Sequence, residues 1–229
     1  MIDGRQTWSG PRTVPRHRHP EAYAALILAG GYEESGTHGR YHVRAGQVLL
    51  HRPFDAHVNR FPSGGAHILN IKLRTSPSFG SGRIGDPDAI VRLAETDLAA
   101  AEQELQAQLR PDAGHPLDWP DVLARDLLAD PQLRLEAWAA RHRLTTETLS
   151  RGFGKVFCTS PRTFRAEVRA LRALGLIAES STPLVAIASQ TGFADQAHMT
   201  RAVRQLTGQP PGEWRGVNSV QDVRARRRL

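Results

Sequence analysis

"GFADQAHMTRAVRQLTGQPP", residues 192–211, has the pattern of a short amphipathic helix that begins at a turn. The apolar residues of one helical face are Met199, Val203 and Leu206. The first turn is polar, and Asp195 is of the residue type that caps helices by accepting hydrogen bonds from free amides. Gly208 and two prolines then end the pattern. We therefore predict a helix over 195–207 with one buried edge and a polar first turn.

A second copy of this plan occurs earlier, in "AARHRLTTETLSRGFGKVFCTSP", residues 139–161. In both copies a short helix of small residues leads to a turn, a polar cap and a longer helix with apolar spacing. Gly192 suits the tight turn of the later copy, whereas Arg143 occupies the matching position of the earlier one. The polar residue that begins the longer helix of the earlier copy is predicted to be Thr146. Two helix-turn-helix units are therefore expected.

The longer helix of each unit exposes polar side chains in its first turns, where such a helix meets base edges in the DNA major groove. Arginine suits guanine and glutamine suits adenine, so double-stranded DNA is the expected partner. The alternative is a plain helical bundle whose polar faces are only solvated. The candidate DNA-contacting residues are Thr146, Glu147, Thr148, Ser150, Arg151, Lys155, Asp195, Gln196, Ala197, His198, Thr200, Arg201 and Arg204.

The charge distribution also favours a polyanion as the partner of the second half. Residues 1–118 carry 13 basic and 13 acidic side chains, whereas residues 119–229 carry 17 basic and 10 acidic ones. The second half therefore holds the whole formal charge of +7. No run of about 18 apolar residues occurs, and the start lacks the apolar segment of a secretory signal. The single Cys158 cannot form an internal disulfide, so we expect a cytoplasmic protein without a membrane partner.

Residues of about 130–217 resemble the DNA-binding domain of AraC/XylS-type transcription regulators. The resemblance rests on "LEAWAARHRLTTETLSRGFGKVF", "SPRTFRAEVRALRAL" and "PLVAIASQTGFADQAHMTRAVRQLTGQPPGEWR". It implies one long helix over about 161–178 that joins the two units and sets their spacing on successive major-groove segments. The family usually has glycine where Cys158 stands, so the turn at the end of the first longer helix is expected to differ here.

The front of the chain has the texture of short strands separated by Gly, Pro and Asp turns, which is typical of an antiparallel barrel or sandwich. Residues of about 16–75 resemble the small cupin-like barrel that precedes this DNA-binding domain in many such regulators, on "HRHPEAY" and "AGQVLLHRPFDAHVN". The predicted fold class is α+β with two domains. An N-terminal antiparallel β-barrel is followed by an all-α domain with two helix-turn-helix units.

Three histidines of the predicted barrel are candidate ligands. His17 and His19 are two residues apart and point to one face of a strand, and His57 lies across the sheet. Three imidazoles of this kind can hold a divalent metal ion. The alternatives are a metal-free pocket for an unidentified small-molecule effector, since barrel mouths are common ligand sites, and a purely structural barrel.

The remaining segments connect and flank these two domains. A Gly/Ser-rich linker is followed by an apolar stripe at positions 90, 94, 98, 101, 105 and 109. This stripe either packs on the chain's own barrel or forms a homodimer contact. The predicted division is a loose N-terminus over 1–15, a barrel over 16–75, linker and helices over 76–130, the double helix-turn-helix over 131–217, and a basic tail over 218–229. The tail is either a phosphate-binding arm or a solvated end.

Together these patterns predict a sequence-specific DNA-binding transcription regulator whose N-terminal barrel responds to a ligand. The alternative is a metal-dependent cupin enzyme with a helical appendage. No nucleophile–base pair or second carboxylate cluster is apparent in the sequence, so no catalytic residue is proposed and the chain is not expected to be an enzyme.

Overall fold

A computed structural model of the chain describes residues 4–112 and 118–216. The chain divides into an N-terminal unit, residues 1–116, and a helical unit, residues 117–229. Within the described ranges, the helices are all too short or too polar to cross a membrane. The predicted basic tail, 218–229, lies outside the described residues.

The described part of the N-terminal unit, residues 4–112, contains nine strands and two helices. The strands are β1 Gly4–Trp8, β2 Arg12–Arg18, β3 Tyr23–Gly36, β4 Gly39–Arg44, β5 Gln47–His51, β6 Ala56–Phe61, β7 Ala66–Lys72, β8 Ser81–Arg83 and β9 Arg110–Pro111. The helices are α1 Pro87–Ala94 and α2 Leu98–Gln108. The prediction of a loose N-terminus over 1–15 was wrong for its described part, because β1 pairs with β7 and β2 pairs with β6. These long-range pairings leave no signal in the local sequence.

Strand β3 organises the sheet because it belongs to two layers. Its first half pairs with β5 and β7 in a row ordered β1-β7-β3-β5-β8-β9, and its second half pairs with β4 and β6, with β2 beyond β6. Gly30 and Gly31 form a glycine pair of the kind expected in a turn, but they lie inside the strand. A side chain on Gly30 would overlap the carbonyl oxygen of Gly65, and one on Gly31 that of Val43, so only glycine fits this crossing.

The predicted barrel is therefore an open antiparallel sheet in two layers. Its row ends at β1 on one side and at the two-residue β9 on the other, and these ends do not pair within the described part of the chain. Side chains of β3 alternate between the layers: Tyr23, Ala25 and Ile27 lie in one apolar cluster, whereas Ala24 and Leu26 lie in the other.

The apolar stripe that follows the linker forms two helices rather than one. Asp97 breaks the pattern and caps α2, because its carboxylate accepts hydrogen bonds from the amides of Ala99 and Ala100 at 2.9 and 3.0 Å. The buried stripe residues share a cluster with Leu26 and Ile71 of the sheet; they are Ile90, Ala101 and Leu105. The stripe thus packs on the chain's own sheet, which is the first of the two alternatives, and leaves Leu98 as an exposed residue.

The helical unit contains six α-helices and one 3-10 helix in its described part. They are α3 Trp119–Ala129, α4 Leu135–Arg141, α5 Thr146–Phe157, α6 Pro161–Glu179, α7 Leu184–Gln190, α8 Gln196–Thr207 and the 3-10 helix Pro211–Trp214. Helix α3, which the sequence pattern placed with the connecting segments, belongs to this unit. Its Leu123 and Leu127 are fully buried with Trp138 of α4 and Phe153 of α5.

Candidate nucleic-acid interface and buried cavity

The first helix-turn-helix unit consists of α4 and α5 and has a non-glycine residue in its turn. Arg143 adopts a left-handed φ of 56°, and the amide of Leu144 donates to the carbonyl of Ala139 at 2.9 Å. The cap of α5 is Thr145, one residue before the predicted Thr146. Its hydroxyl accepts a hydrogen bond from the amide of Thr148 at 3.1 Å. The two adjacent threonines are equivalent as sequence signals, and only the backbone distinguishes them.

The second unit consists of α7 and α8 and closes its turn with glycine. Gly192 has a φ of 75°, and the amide of Phe193 donates to the carbonyl of Ala188 at 2.9 Å, the same link as in the first unit. Asp195 caps α8 as predicted, because its carboxylate accepts a hydrogen bond from the amide of His198 at 2.6 Å. The two turns therefore have the same shape.

The two longer helices also end alike. Cys158 after α5 has a φ of 51° and Gly208 after α8 has a φ of 76°, both in the left-handed region. The expectation that the turn at Cys158 differs from a glycine ending was wrong. The amide of Cys158 donates to the carbonyl of Gly154 at 3.0 Å, so hydrogen bonding and the packing around α5 impose the left-handed ending on a non-glycine residue.

Both longer helices bury one edge and expose the other. The buried residues are Leu149, Phe153 and Phe157 of α5, and Met199, Val203 and Leu206 of α8. Among the candidate DNA-contacting residues, Thr200 is half-buried and the others are exposed. Each helix thus presents a continuous polar face to solvent, with the shape that a major-groove reader needs.

Some candidates already have partners within their own helix. The carboxylate of Asp195 is used in capping, and the hydroxyl of Thr148 accepts a hydrogen bond from that of Thr145 at 2.9 Å. Glu147 lies 3.6 Å from Arg151 in an exposed pair four residues apart. Such a pair contributes only about 0.2–0.5 kcal/mol, but it offsets the positive charge that Arg151 offers to a phosphate.

A cavity of about 240 Å³ lies between the two layers of the N-terminal unit. One end is aromatic: the rings of Trp8 and Phe61 stack at 5.1 Å, and Tyr32 lies 4.9 Å from Phe61. The other end is polar. The lining residues are Gln6, Trp8, Val14, His17, His19, Tyr23, Ala25, Tyr32, Glu34, His57, Asn59, Phe61, Ile68 and Asn70.

The structure brings the three predicted histidines together at the polar end. His17 of β2 pairs in register with His57 of β6, and their ring centroids are 4.3 Å apart. His19 lies 5.0 Å from His17, and one ring nitrogen of each histidine lies within 4.8 Å of those of the other two. Nδ1 of His17 is 2.8 Å from the carbonyl oxygen of Pro15, and Nε2 of His57 is 3.2 Å from the hydroxyl of Tyr23.

Two further residues of this region, Glu34 and His51, were not predicted from the sequence: Glu34 lines the cavity, and His51 lies behind it, 4.7 Å from His57 between ring centroids. Glu34 is almost fully buried; its carboxylate lies 2.8 Å from Nε2 of His51 and accepts a hydrogen bond from Asn59 at 2.7 Å. Glu34, His51 and His57 form a second group whose possible ligand atoms lie within 4.8 Å of one another. The inward alternation of β3 could have indicated Glu34, but this residue follows Gly30 and Gly31, a pair that usually marks a turn.

The surroundings of this end lower the pKa values of Glu34, His19 and His57. Burial alone would raise the pKa of Glu34, but the positive potential of His51 and His57 and the hydrogen bonds from His51 and Asn59 lower it to about 2. Burial, together with neighbouring histidine charges, lowers the pKa of His19 to about 4 and that of His57 to about 3. Nδ1 of His51 and Nδ1 of His57 are buried without a hydrogen-bond partner among the described residues.

Comparison with known proteins identifies the helical unit. Residues 138–216 match the protein family described as a helix-turn-helix domain. The arabinose operon regulatory protein of Escherichia coli (strain K12) is 26% identical over 174 residues, which is 75% of this chain and 57% of that protein. The match thus spans little more than half of the relative's length.

Among solved structures, the C-terminal domain of AraT, a response regulator from Geobacillus stearothermophilus, aligns with a TM-score of 0.41 and 19% identity over 44% of this chain and 87% of that one. ToxT from Vibrio cholerae strain SCE256, solved with an unsaturated fatty acid bound, aligns with a TM-score of 0.43 and 12% identity over 92% of this chain and 93% of that one. On these matches, residues 138–216 are similar to a helix-turn-helix domain, and the chain is similar in sequence to the arabinose operon regulatory protein over 174 residues.

Proposed function

We propose that this chain is a sequence-specific DNA-binding transcription regulator that uses α5 and α8 as its two reading helices. The observation that carries the proposal is the repetition of one device: a capped helix with a buried edge and an exposed polar first turn. The concentration of positive charge in residues 119–229 and the match to a helix-turn-helix domain support it.

The reading role of α8 can be tested at Arg201, which is exposed beyond the cap of the helix. Fluorescence anisotropy with promoter DNA from upstream of the chain's own gene or a neighbouring gene, at fixed salt, measures the affinity. If Arg201 contacts a base, Arg201→Ala costs about 1–3 kcal/mol and relaxes sequence preference at one position.

A matched control is Arg92→Ala, which removes one exposed positive charge from α1 of the N-terminal unit. If the proposal is right, Arg92→Ala leaves the sequence preference for DNA unchanged. Equally weak binding of every DNA sequence by the unmodified chain would contradict the regulator function itself.

The cavity of the N-terminal unit is the proposed effector site. It is lined by strands of both sheet layers and combines an aromatic end with a polar end, which are features of a small-molecule pocket. The effector changes DNA binding by binding one conformation of the chain more tightly than another, because a ligand shifts only an equilibrium between states that it binds with different affinity.

We further propose that His17, His19 and His57 hold a divalent cation at the polar end of this cavity. The residues fit such an ion: His19 and His57 are neutral at neutral pH, and a buried nitrogen of His57 has no hydrogen-bond partner among the described residues. Contacts of His17 with Pro15 and of His57 with Tyr23 fix the ring orientations, as outer partners do around metal-ligating histidines.

Elemental analysis of the purified chain tests this metal site. One equivalent of a zinc-like divalent ion is expected, with its loss in His57→Ala and its retention in His67→Ala, which changes an exposed histidine of β7. A metal-free chain that also fails to take up zinc or nickel contradicts the site.

The same histidine cluster is the observation behind the second candidate function, a metal-dependent enzyme with a helical appendage. That function predicts bound metal without salt-sensitive DNA affinity. The DNA-binding measurement described above therefore separates the two functions.

A further inference from the structure

Helix α6 carries three arginines that donate hydrogen bonds to backbone carbonyls; Arg165 and Arg169 are half-buried, and Arg172 is exposed. Arg165 donates to the carbonyl of Leu133 at 3.2 Å and Arg169 to that of Gly192 at 2.8 Å. Arg172 donates to the carbonyl of Ala129 at 2.9 Å and also to that of Leu128. Spaced by four and three residues, these arginines share one face of the helix.

The carbonyls of Leu133 and Gly192 lie beside the first and in the second helix-turn-helix unit, whereas those of Leu128 and Ala129 lie at the end of α3. Leu133 lies just before α4, the first helix of the first unit. Gly192 is the turn residue of the second unit, three residues before the cap of α8. Arg165 and Arg169 are one helical turn apart. One turn of α6 therefore donates hydrogen bonds both to the residue just before the first unit and to the turn of the second unit.

The surroundings of Arg169 show how closely the units meet at this point. Its guanidinium carbon lies 5.8 Å from the centre of the Phe193 ring. A side chain on Gly192 would lie 3.3 Å from Nε2 of Gln132, which belongs to the loop before α4. The Nε atoms of Arg165 and Arg169 are buried without a hydrogen-bond partner among the described residues. These two guanidinium groups therefore serve the protein's own backbone and not a DNA phosphate.

We infer that Arg169, with Arg165 as its partner, is a positioning residue that fixes the distance between the two reading helices. The inference rests on the proposed function, because it concerns how α5 and α8 are held for one DNA molecule. The second unit is covalently connected to α6 by residues 180–183, a segment outside any helix or strand, and α7 and α8 also pack against α6. Releasing the carbonyl of Gly192 frees the turn of that unit to shift against α6.

A set of duplexes tests the inference. Each duplex carries both sequence blocks selected by the unmodified chain, with the spacing between them changed in single base pairs. The full-length chain is expected to prefer one spacing. Arg169→Met is expected to lose about tenfold in affinity at that spacing, and to bind the neighbouring spacings almost equally well, because the two sites no longer act as one rigid pair.

Three comparisons make the result specific. Arg162→Met removes the same charge from an exposed position of α6 and is expected to keep the preferred spacing. Arg169→Lys, which retains a donor, is expected to restore part of the preference. Duplexes with only one intact block are expected to bind Arg169→Met within about twofold of the unmodified chain.

An unchanged spacing preference in Arg169→Met overturns the inference. An equal loss of affinity for the isolated second block also overturns it, because that result indicates local damage to the second unit. Failure of the unmodified chain to select any sequence contradicts the proposed function instead, so the two failures are distinguishable.

A distance measurement tests the same inference without DNA. Cys158, the single cysteine of the chain, is exposed at the end of α5, and Gln205→Cys places a second thiol on an exposed position of α8. Spin labels at both positions are expected to give one narrow distance distribution, which becomes broad when Arg169→Met is added. A distribution that stays narrow overturns the inference.

Discussion

The two helix-turn-helix units have the same backbone shape, but different residues occupy their two left-handed positions. The first unit uses Arg143 and Cys158, whereas the second uses Gly192 and Gly208. A left-handed conformation costs a non-glycine residue about 1–2 kcal/mol, so the first unit carries strain at two positions where the second carries none.

The core of the first unit contains the packing contacts that offset this strain. Trp138, Phe153 and Phe157 of the first unit are fully buried together with Phe164 of α6, and α3 adds three further buried residues. The rings of Phe153 and Phe157 stack at 4.6 Å, and Phe164 meets both of them edge-on. The comparison indicates that a large aromatic core holds strained turns in place, whereas glycine produces the same turns without strain.

The strongest test of this comparison is to remove the aromatic core of the first unit. Phe153→Ala is expected to lower the free energy of unfolding of the helical unit by about 3–5 kcal/mol. Chemical denaturation followed by circular dichroism at 222 nm measures the change. The control Val185→Ala truncates a side chain that is 63% exposed and is expected to change it by less than about 0.5 kcal/mol. Equal small effects would show that the core does not offset the strain.

The N-terminal unit offers a contrast, since its stability is expected to depend on pH. The folded pKa values of His19 and His57, about 4 and about 3, lie below the ordinary 6.5, so the unfolded chain binds more protons as the pH falls below 6.5. Stability from these groups is complete above pH 6.5 and is lost on acidification, by up to about 1.4 kcal/mol per pH unit for each proton. Glu34 adds a loss as the pH falls from its ordinary 4.5 towards about 2.

All three tyrosines belong to the N-terminal unit, so their near-ultraviolet circular dichroism follows this titration. Unfolding of the N-terminal unit is expected to begin at a lower denaturant concentration at pH 5 than at pH 7. His57→Ala is expected to reduce this dependence, and His67→Ala to leave it unchanged. A midpoint that does not move with pH contradicts the assignment of neutral buried histidines.

Gly192→Ala is expected to impose on the second unit the strain that the first unit already carries. The φ of 75° predicts a loss of about 1–2 kcal/mol in the free energy of unfolding, and the close contact with Gln132 adds to it. Gly175→Ala is the matched control, because Gly175 lies inside α6 with open space around it. It is expected to stabilise the unit by about 0.5–1 kcal/mol. Equal effects of the two substitutions would mean that the turn of the second unit does not need glycine.

The smallest change in the free energy of unfolding is expected to be a gain, when the left-handed strain of the first unit is removed. Cys158→Gly removes the left-handed strain and is expected to raise the free energy of unfolding by up to about 1 kcal/mol, with part of the gain offset by the added freedom of glycine in the unfolded chain. Gly208→Ala is the mirror-image change in the second unit and is expected to lower it by about 1 kcal/mol. Thermal unfolding of both variants beside the unmodified chain measures the pair. A destabilised Cys158→Gly would show that the thiol makes a contact worth more than the strain.

The sequence predicted the helical unit well because its signals are local. The cap at Asp195 and the apolar spacing of α5 and α8 lie within a few residues of the features that they determine. The left-handed ending at Cys158 was not foreseen, because its cause is hydrogen bonding and packing around α5 rather than the intrinsic preference of cysteine.

The N-terminal unit was predicted less completely because its determining contacts are distant along the chain. The continuation of β3 through Gly30 depends on close approach to Gly65, which lies 35 residues away in the sequence. Glu34 was missed for the same reason, since it reaches the histidines only if that strand continues. His17 and His19 were found because alternation on a strand, a local signal, places residues two apart on one face. His57 was found through the resemblance of its segment to a cupin-like barrel.

The most direct test of the central claim, that two units read one DNA molecule together, is selection from a random pool of duplexes by the full-length chain. The account predicts enrichment of two sequence blocks about one helical turn apart, with Arg201→Ala relaxing one block and Arg151→Ala the other. A pool that shows no enriched sequence, or a single block that both substitutions affect, would contradict it.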